Sequence, residues 1–440
     1  MTIKLKKAEN LIEAYQVFET QIPLMPDQCE FYIEIYQDDI KELRKSLILN
    51  IMPHRSFFVT GQAGNGKTTA LNFLPDDAIN KKYDVKYLKG RELFNLDDID
   101  IIDVILMIGF TVVDGHKELE DKYLNILEEM KKLKVGKLTK GEEGYSAKKK
   151  EGGGKTSFAA KFPFFSWLKI ETGFFARYKI EREKREFMRE IFTPDMQELI
   201  EKINEIIASY NENFLKSEKL LIIIDDLEKI RDQQQAYNLF VNNHYVFNEI
   251  QSTKIVTFPA HLADDHPMYL EASKFGIRIA ENPHEETENG EVQKNREKLK
   301  NVIWQRLVKR ELVREDAADM AVEFSGGNLR FLVGIMQKAV LDAINLEDEE
   351  THTQSIMPAN VKKAVENMAA LPSLSVMSRL KVLTHVMEKK CKPEGEELMK
   401  DFNRSILDNT IFAYFNGKPW YDLNPIIRDS VKVYSRKREE

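Results

Sequence analysis

The sequence predicts an α/β protein, with a parallel sheet layered between helices, then a helical region and a small terminal domain. Three observations carry this. Short apolar runs of strand length alternate with helical stretches from Ser56 to Ile279, which calls for parallel strands joined by crossovers. One run, Leu220 to Ile224, is apolar throughout, the pattern of a strand buried on both faces. From Glu291 onward the chain turns to successive helices.

Taken in order, Ala8 to Thr20 has helical spacing, and Ile40 to Ile51 is a second helix closed by Pro53. Ser56 to Thr60 is a strand. Lys67 to Leu74 is a helix that stops at Pro75, Val85 to Leu88 a strand, and Ile99 to Val113 a buried helix. Asp195 to Ser209 is an amphipathic helix with Pro194 near its start. Ile255 to Phe258 is a strand ended by Pro259, and Phe275 to Ile279 the next one. Helices are expected over Lys294–Val313, Arg314–Phe324, Leu329–Ile344 and Ala359–Met368. Ile411–Phe415 and Trp420–Leu423 form a strand pair around Asn416-Gly417, a strong hairpin signal.

Composition excludes several classes. A hydrophobic share of 42% with 31% charged residues is that of a globular protein rather than a disordered or collagen-like chain. The longest apolar stretch, Ile101 to Val113, contains Asp103 and falls short of the ~18 residues of a membrane span. The opening residues run from Lys4 and Lys6-Lys7 into Glu9 without an apolar leader segment. Cys29 and Cys391 are too few for a disulfide framework or a zinc cluster. The eight His lack a metal-ligand spacing such as H-E-x-x-H. A cytoplasmic protein with no membrane association is expected. Net charge of −7 argues against a surface that coats nucleic acid.

That charge is uneven. Between Lys131 and Ile180 there are 13 Lys+Arg against 4 Asp+Glu. The same segment holds Gly152-Gly153-Gly154 and an aromatic burst from Phe158 to Tyr178, so a stretch of about 115–190 reads as an insertion. Its aromatics either stack on nucleic-acid bases or pack on protein, and packing is favoured. The alternation of Glu with Arg or Lys from Tyr178 to Phe192 reads as a solvated helix face.

The chemistry sits in a few short motifs. Gly61-Gln62-Ala63-Gly64-Asn65-Gly66-Lys67-Thr68 fits G-x-x-x-x-G-K-[ST], between an expected strand and an expected helix. Its glycines let successive N–H groups point inward at phosphate oxygens, reinforced by the helix N-terminus. Lys67 reaches the β- and γ-phosphates, and Thr68 ligates Mg²⁺; Thr69 completes the nucleotide-binding stretch. Gly154-Lys155-Thr156 echoes the ending without the preceding strand and is assigned no site. Leu221 to Asp226 is a buried strand ending in carboxylates, placing Asp225 to hold Mg²⁺ and Asp226 to orient an attacking water. Thr257, near the end of the next strand, serves either packing or a hydrogen bond to the γ-phosphate. In Ser325-Gly326-Gly327-Asn328-Leu329-Arg330, Asn328 can cap a helix. Arg330 then lies in its first turn, against the helix dipole. A phosphate contact explains that placement better than a surface ion pair.

Together these elements resemble the AAA+ and STAND superfamily of P-loop ATPases, in the lid-and-winged-helix arrangement of replication initiators. The resemblance covers Tyr32 to about Tyr434 outside the insertion. It implies a P-loop NTPase αβα sheet of AAA+ type over residues 1–290, a helical lid over 291–370 and a winged-helix-like domain over 371–440. It further implies that Lys67 and Thr68 are Walker A, Asp225 and Asp226 Walker B, Thr257 sensor 1 and Arg330 sensor 2. The Walker B end reads Asp225-Asp226-Leu227-Glu228 rather than Asp-Glu, closer to STAND and consistent with slow hydrolysis. Arg278, Arg306 and Arg310 are candidates for an arginine finger, none in a telling context. The base-recognition motif of GTPases is missing, so ATP with Mg²⁺ is the expected cofactor pair.

The expectation is an ATP-binding, ATP-hydrolysing switch, similar to bacterial STAND-like ATPases of antiphage defence. It would control its own assembly as a homo-oligomer or act on a separately encoded protein effector. The alternative is a DNA-engaging ATPase of initiator or loader type. Leu371 to Ser430 carries 9 basic against 8 acidic residues, which disfavours DNA, since phosphate neutralisation supplies most duplex affinity. Trp420 and Tyr421 suit packing or protein contact instead.

Overall fold

The computed structural model describes residues 5–19, 23–145, 182–263, 269, 271–284, 290–345, 352, 354–369, 377–415 and 418–439. The Phe158–Tyr178 burst, the Gly154–Thr156 echo and the Asn416-Gly417 turn lie outside them.

Helix α1 (Leu11–Val17) starts where the Asn10 side chain accepts a bond from the Glu13 N–H. Helix α2 (Gln37–Leu49) precedes strand β1 (Arg55–Thr60), the glycine loop and α3 (Lys67–Asn72). Then come α4 (Asp77–Lys82), β2 (Tyr83–Lys89), α5 (Gly90–Leu93) and α6 (Ile101–Val113). Asp100 and Asp103 close a reciprocal capping box at the start of α6. Next are α7 (Lys117–Tyr145), α8 (Arg182–Phe192), α9 (Met196–Asn213) and β3 (Lys219–Asp225). Helices α10 (Gln233–Tyr237) and α11 (Tyr245–Glu249) lead to β4 (Thr253–Phe258) and the short β5 (Ser273–Lys274). The helical region is α12 (Glu291–Trp304), α13 (Glu315–Ser325), α14 (Leu329–Ala343) and α15 (Pro358–Ala369). Finally come α16 (Leu380–Lys389), α17 (Glu396–Leu407), β6 (Ile411–Tyr414), β7 (Trp420–Leu423) and α18 (Arg428–Glu439).

The expected α/β architecture is present. Among the described residues, one sheet runs β2-β3-β4-β1-β5. Its paired registers are parallel: Tyr83 to Lys89 lie opposite Lys219 to Asp225, Leu221 opposite Thr253, and Val59 opposite Ser273. Every residue of β3 after Lys219 is buried, as its unbroken apolar run requires. No described helix is long and apolar enough to cross a membrane.

The chain divides into two compact units. One comprises Ile51–Phe57 and Asn80–Val256, the other Met1–Asn50, Phe58–Ile79 and Thr257–Glu440. In the first, α6 is buried on nearly every side, with α7 and α9 against it. Helix α8 exposes Arg182, Glu183, Glu186 and Glu190 as a solvated charged face would, but Arg185 and Arg189 depart from that expectation. Arg185 is 2% exposed, and its Nη2 donates to Asp98 at 2.7 Å. Arg189 donates to Asp98 Oδ1 at 2.7 Å, to the Asp98 carbonyl at 2.8 Å and from Nε to Asp103 Oδ2 at 3.2 Å. The carboxylates that bury this face lie more than 80 positions earlier, beyond the reach of a helical pattern.

In the second unit, α16, α17, the antiparallel β6–β7 pair and α18 enclose a core of Leu383, Val386, Phe402, Ile406, Tyr421 and Val431, among others. Trp420 is 2% exposed and stacks on Tyr414 with ring centroids 4.3 Å apart. Tyr421 meets Phe402 edge-on. Both rings are therefore packing residues, and the protein-contact option for them is withdrawn.

Two further expectations change. Phe275–Ile279, expected as a strand, is not one; the strand β5 is Ser273–Lys274, just before it. Side chains take the following carbonyls in place of a ladder: Asn65 binds Phe275 O, Asn295 binds Arg278 O and Arg296 binds Ile279 O. The helix expected to reach Val313 ends at Trp304, because the backbone beyond it pairs with Ala8: Ala8 N donates to Arg306 O and Val308 N to Ala8 O.

Candidate functional site

The glycine loop sits between β1 and α3 within one unit. Gly61, Gly64 and Gly66 have φ of 144°, 96° and 83°, the left-handed region that favours glycine. At Gly61 a Cβ would stand 2.1 Å from Phe275 O, and at Gly64 2.5 Å from Asn328 Oδ1. No larger residue fits either position without moving backbone or a buried amide. Lys67 is 3% exposed, and its Nζ donates to Gly61 O at 2.7 Å and Gln62 O at 3.0 Å. Thr68 is half-buried in the first turn of α3. Thr69 Oγ1 accepts from Leu24 N at 3.2 Å.

Residues distant in sequence grip the loop. Asn328 caps α14 by accepting from Arg330 N and Phe331 N, while its Nδ2 donates to Ala63 O at 2.9 Å and Asn65 Oδ1 at 3.0 Å. Arg330 N also donates to Gly64 O at 3.1 Å, and the Arg330 residue is exposed. Tyr36 Oη donates to Asn65 O at 2.6 Å. Burial, then the nearby Asp39 charge, hold that hydroxyl well above the usual tyrosine pKa. From the C-terminal hairpin, Gln62 Nε2 donates to Ile411 O at 2.5 Å and Gln62 Oε1 accepts from Ala413 N at 3.1 Å. Asn409 Nδ2 reaches Ala63 O at 3.0 Å. Tyr36, Gln62's side-chain role and Asn409 escape sequence reading, because nothing local marks their partners.

The remaining sensor candidate, Thr257, is fully buried near the end of β4. The arginine-finger candidates all have internal engagements: Arg278 pairs with Glu281 and, at 3.5 Å, with Glu291. Arg306 is buried, donating to Val302 O at 2.7 Å, and burial pushes its pKa down to about 10. Arg310 lies 4.6 Å above the Trp304 ring.

The acidic end of β3 belongs to the other unit. Asp225 is fully buried; its Oδ2 accepts from Tyr87 Oη at 3.0 Å, and its Oδ1 has no hydrogen-bond partner among the described residues. Burial, with the Asp225 charge beside it, holds the Tyr87 hydroxyl well above its ordinary pKa. Asp226 has φ of 72° and turns the chain out of the strand. Its carboxylate accepts from Arg91 N at 3.2 Å and is paired with Lys229 and, at 3.7 Å, Arg91. Glu228, also buried, joins them: one carboxylate oxygen from each of Asp225, Asp226 and Glu228 lies within 4.8 Å of the others. A buried carboxylate oxygen without a partner, in an all-oxygen set, fits a hard cation such as Mg²⁺. Asp225 and Asp226 are marked by the sequence; Glu228 and Tyr87 come from the fold.

A profile of the KAP family P-loop domain matches residues 36–259. Comparison with curated proteins gives no match. Among solved structures, the chain is similar to the Walker-type ATPase PABY2304 of Pyrococcus abyssi, at 12% identity over 94% of this chain and 99% of that one, TM-score 0.44. It is also similar to Drosophila ORC bound to DNA, at 10% identity over 99% and 95%, TM-score 0.41. A third likeness is to Cdc6p of Pyrobaculum aerophilum, at 12% identity over 95% and 98%, TM-score 0.38. With the profile spanning just over half of the chain, and an intact glycine loop between β1 and α3, the protein belongs to the KAP family of P-loop NTPases.

Proposed function

We propose that this protein is an ATP-dependent molecular switch of AAA+/STAND type that hydrolyses ATP slowly. In this reading residues 1–290 bind nucleotide, 291–370 form the lid and 371–440 a winged-helix-like domain. The observation that carries it is the grip of the 325–330 segment on the P-loop, through Asn328 on Ala63 and Arg330 N on Gly64. A lid bonded directly to a phosphate-binding loop senses what that loop holds.

Backbone N–H groups of Gly61 to Lys67 would hold the phosphates, with Lys67, Thr68 and Thr69 beside them. Thr68 and Asp225 would hold Mg²⁺, which when bound neutralises developing phosphate charge. Asp226 would orient the attacking water once released from Lys229. Thr257 and Arg330 are assigned to sensing the γ-phosphate. The output is control of homo-oligomeric assembly or of a separately encoded protein effector, in the setting of cytoplasmic bacterial antiphage defence. DNA engagement is the lesser reading, since the C-terminal region lacks a basic excess.

The test is ATP turnover and particle mass measured on one sample, with and without duplex DNA. Lys67→Ala should abolish ATP binding, and Asp226→Ala should keep binding and stop turnover. Unchanged ATP affinity in the Lys67 variant would refute the site. Turnover that rises with DNA would transfer the proposal to the DNA-engaging reading.

A further inference from the structure

We infer that Tyr36 and Asn409 are positioning residues of the phosphate site: by holding two carbonyls of the glycine loop, they keep two glycine N–H groups turned toward phosphate. This rests on the nucleotide-binding reading above and names residues that reading does not use. A trans peptide is planar, with its C=O and the next residue's N–H pointing in opposite directions. A donor that fixes one carbonyl therefore fixes where the following N–H points.

From Gly61 to Gly66 every carbonyl of the loop accepts a hydrogen bond. Gly61 O and Gln62 O take Lys67 Nζ, and Gly66 O takes Ala70 N at 2.9 Å. These donors are local and belong to the motif. The donors between them are remote: Ala63 O accepts from Asn328 and Asn409, Gly64 O from Arg330 N, and Asn65 O from Tyr36 Oη. Ala63 and Asn65 directly precede Gly64 and Gly66, so holding their carbonyls sets the N–H groups of both glycines, as an anion-binding nest requires.

Those two peptides need an outside hold. Each ends in a glycine of positive φ, 96° at Gly64 and 83° at Gly66. Rotating such a peptide by half a turn carries the glycine to negative φ, which glycine populates about as readily. The flipped peptide would present a carbonyl oxygen to an anion where its N–H had been. Tyr36 opposes this at Asn65 O with a bond of 2.6 Å, from a ring that is 5% exposed and stacks on Phe275 at 4.7 Å. Burial holds the pKa of its hydroxyl well above the ordinary value, so the group keeps the proton it donates. Asn409 sits in a left-handed turn after α17, with φ of 60° and its carbonyl accepting from Asn424 Nδ2 at 3.1 Å. From that turn its Nδ2 reaches Ala63 O beside the Asn328 amide.

The experiment measures the affinity of the full chain for a non-hydrolysable ATP analogue with Mg²⁺, and amide hydrogen exchange of the unliganded chain. Tyr36→Phe deletes the hydroxyl and keeps the stacked ring; it should weaken analogue binding about 3- to 10-fold, the worth of one hydrogen bond. Asn409→Gly, which tolerates the left-handed turn, should weaken it by a smaller factor, since Asn328 still holds Ala63 O. Exchange over α2 and α3 should match wild type in both variants, because only peptide orientation within the loop is lost. Unchanged affinity in either variant removes that residue from the role, and in both overturns the inference. Weaker affinity with faster exchange throughout α2 and α3 also overturns it, because the residue then merely holds the unit together. Absence of any analogue binding to wild type overturns the nucleotide reading itself, and this inference with it.

Discussion

Tyr87→Phe isolates what the fold adds to the acidic end of β3. The substitution removes a single hydroxyl, the one that donates to Asp225 Oδ2 at 3.0 Å, and keeps the ring. A hydrogen bond to a charged group contributes about 1.5–3 kcal/mol. At about 1.4 kcal/mol per factor of ten that is roughly 10- to 100-fold, the range found when a partner behind a metal ligand is lost. We expect the Mg²⁺ concentration for half-maximal ATP turnover to rise by about this factor, while nucleotide binding without Mg²⁺ is unchanged. The assay is a Mg²⁺ titration of turnover at saturating ATP, paired with equilibrium binding of nucleotide in EDTA. A merely structural role would lower both together. An unaltered Mg²⁺ dependence would refute the claim that Tyr87 orients Asp225, and loss of metal-free binding would show that the substitution damaged the unit as a whole.

Other predictions test the packing around the site. Arg189→Ala leaves the buried Asp103 carboxylate with its capping bond from Asp100 N but without the Arg189 cation, and should cost about 3–5 kcal/mol, read as a lower melting temperature; adding Asp103→Asn should recover part of that loss. Burial raises the Asp98 carboxyl, but hydrogen bonds from Arg189 and Arg185 outweigh it and leave the pKa below 3.8. The stabilisation from this cluster is therefore complete above pH 3.8 and disappears as pH falls through the lower folded value, which acid titration of α8 hydrogen exchange would follow. Asp39 behaves oppositely: burial, then the neighbouring Asp38, push its carboxyl up to about 6. Folding is then penalised as pH rises from about 4 to about 6, by no more than ~3 kcal/mol. Asp39→Asn should flatten that part of the stability profile, and an identical profile would remove Asp39 as its source.

Features built within one short stretch of chain are legible in the amino-acid sequence. The P-loop is such a feature: eight residues supply the left-handed turns, the helix start and the lysine, so its pattern carries its geometry. The β3 run and its two terminal Asp residues are equally local, because burial on both faces demands an unbroken apolar sequence. Asn328 is recognisable as a helix cap, since a cap bonds to residues two and three positions ahead. Its second bond, to Ala63 across 265 positions, is not.

Partners far along the chain set the features that the sequence hides. Phe275 to Ile279 has the composition of a strand, but Asn65, Asn295 and Arg296 claim its carbonyls, and a ladder needs those same groups. Helix α8 has the charge pattern of a solvated surface, but the half-buried Asp98 and the buried Asp103 pair with its Arg185 and Arg189. Gln62 looks like filler within a phosphate loop until β6, some 350 residues later, meets both ends of its amide. Propensity and pattern act over a few residues and determine the sheet, the helices and the phosphate loop. Hydrogen-bond acceptors and buried charges are satisfied by whatever the folded chain brings near, so the grip on that loop is decided only in three dimensions.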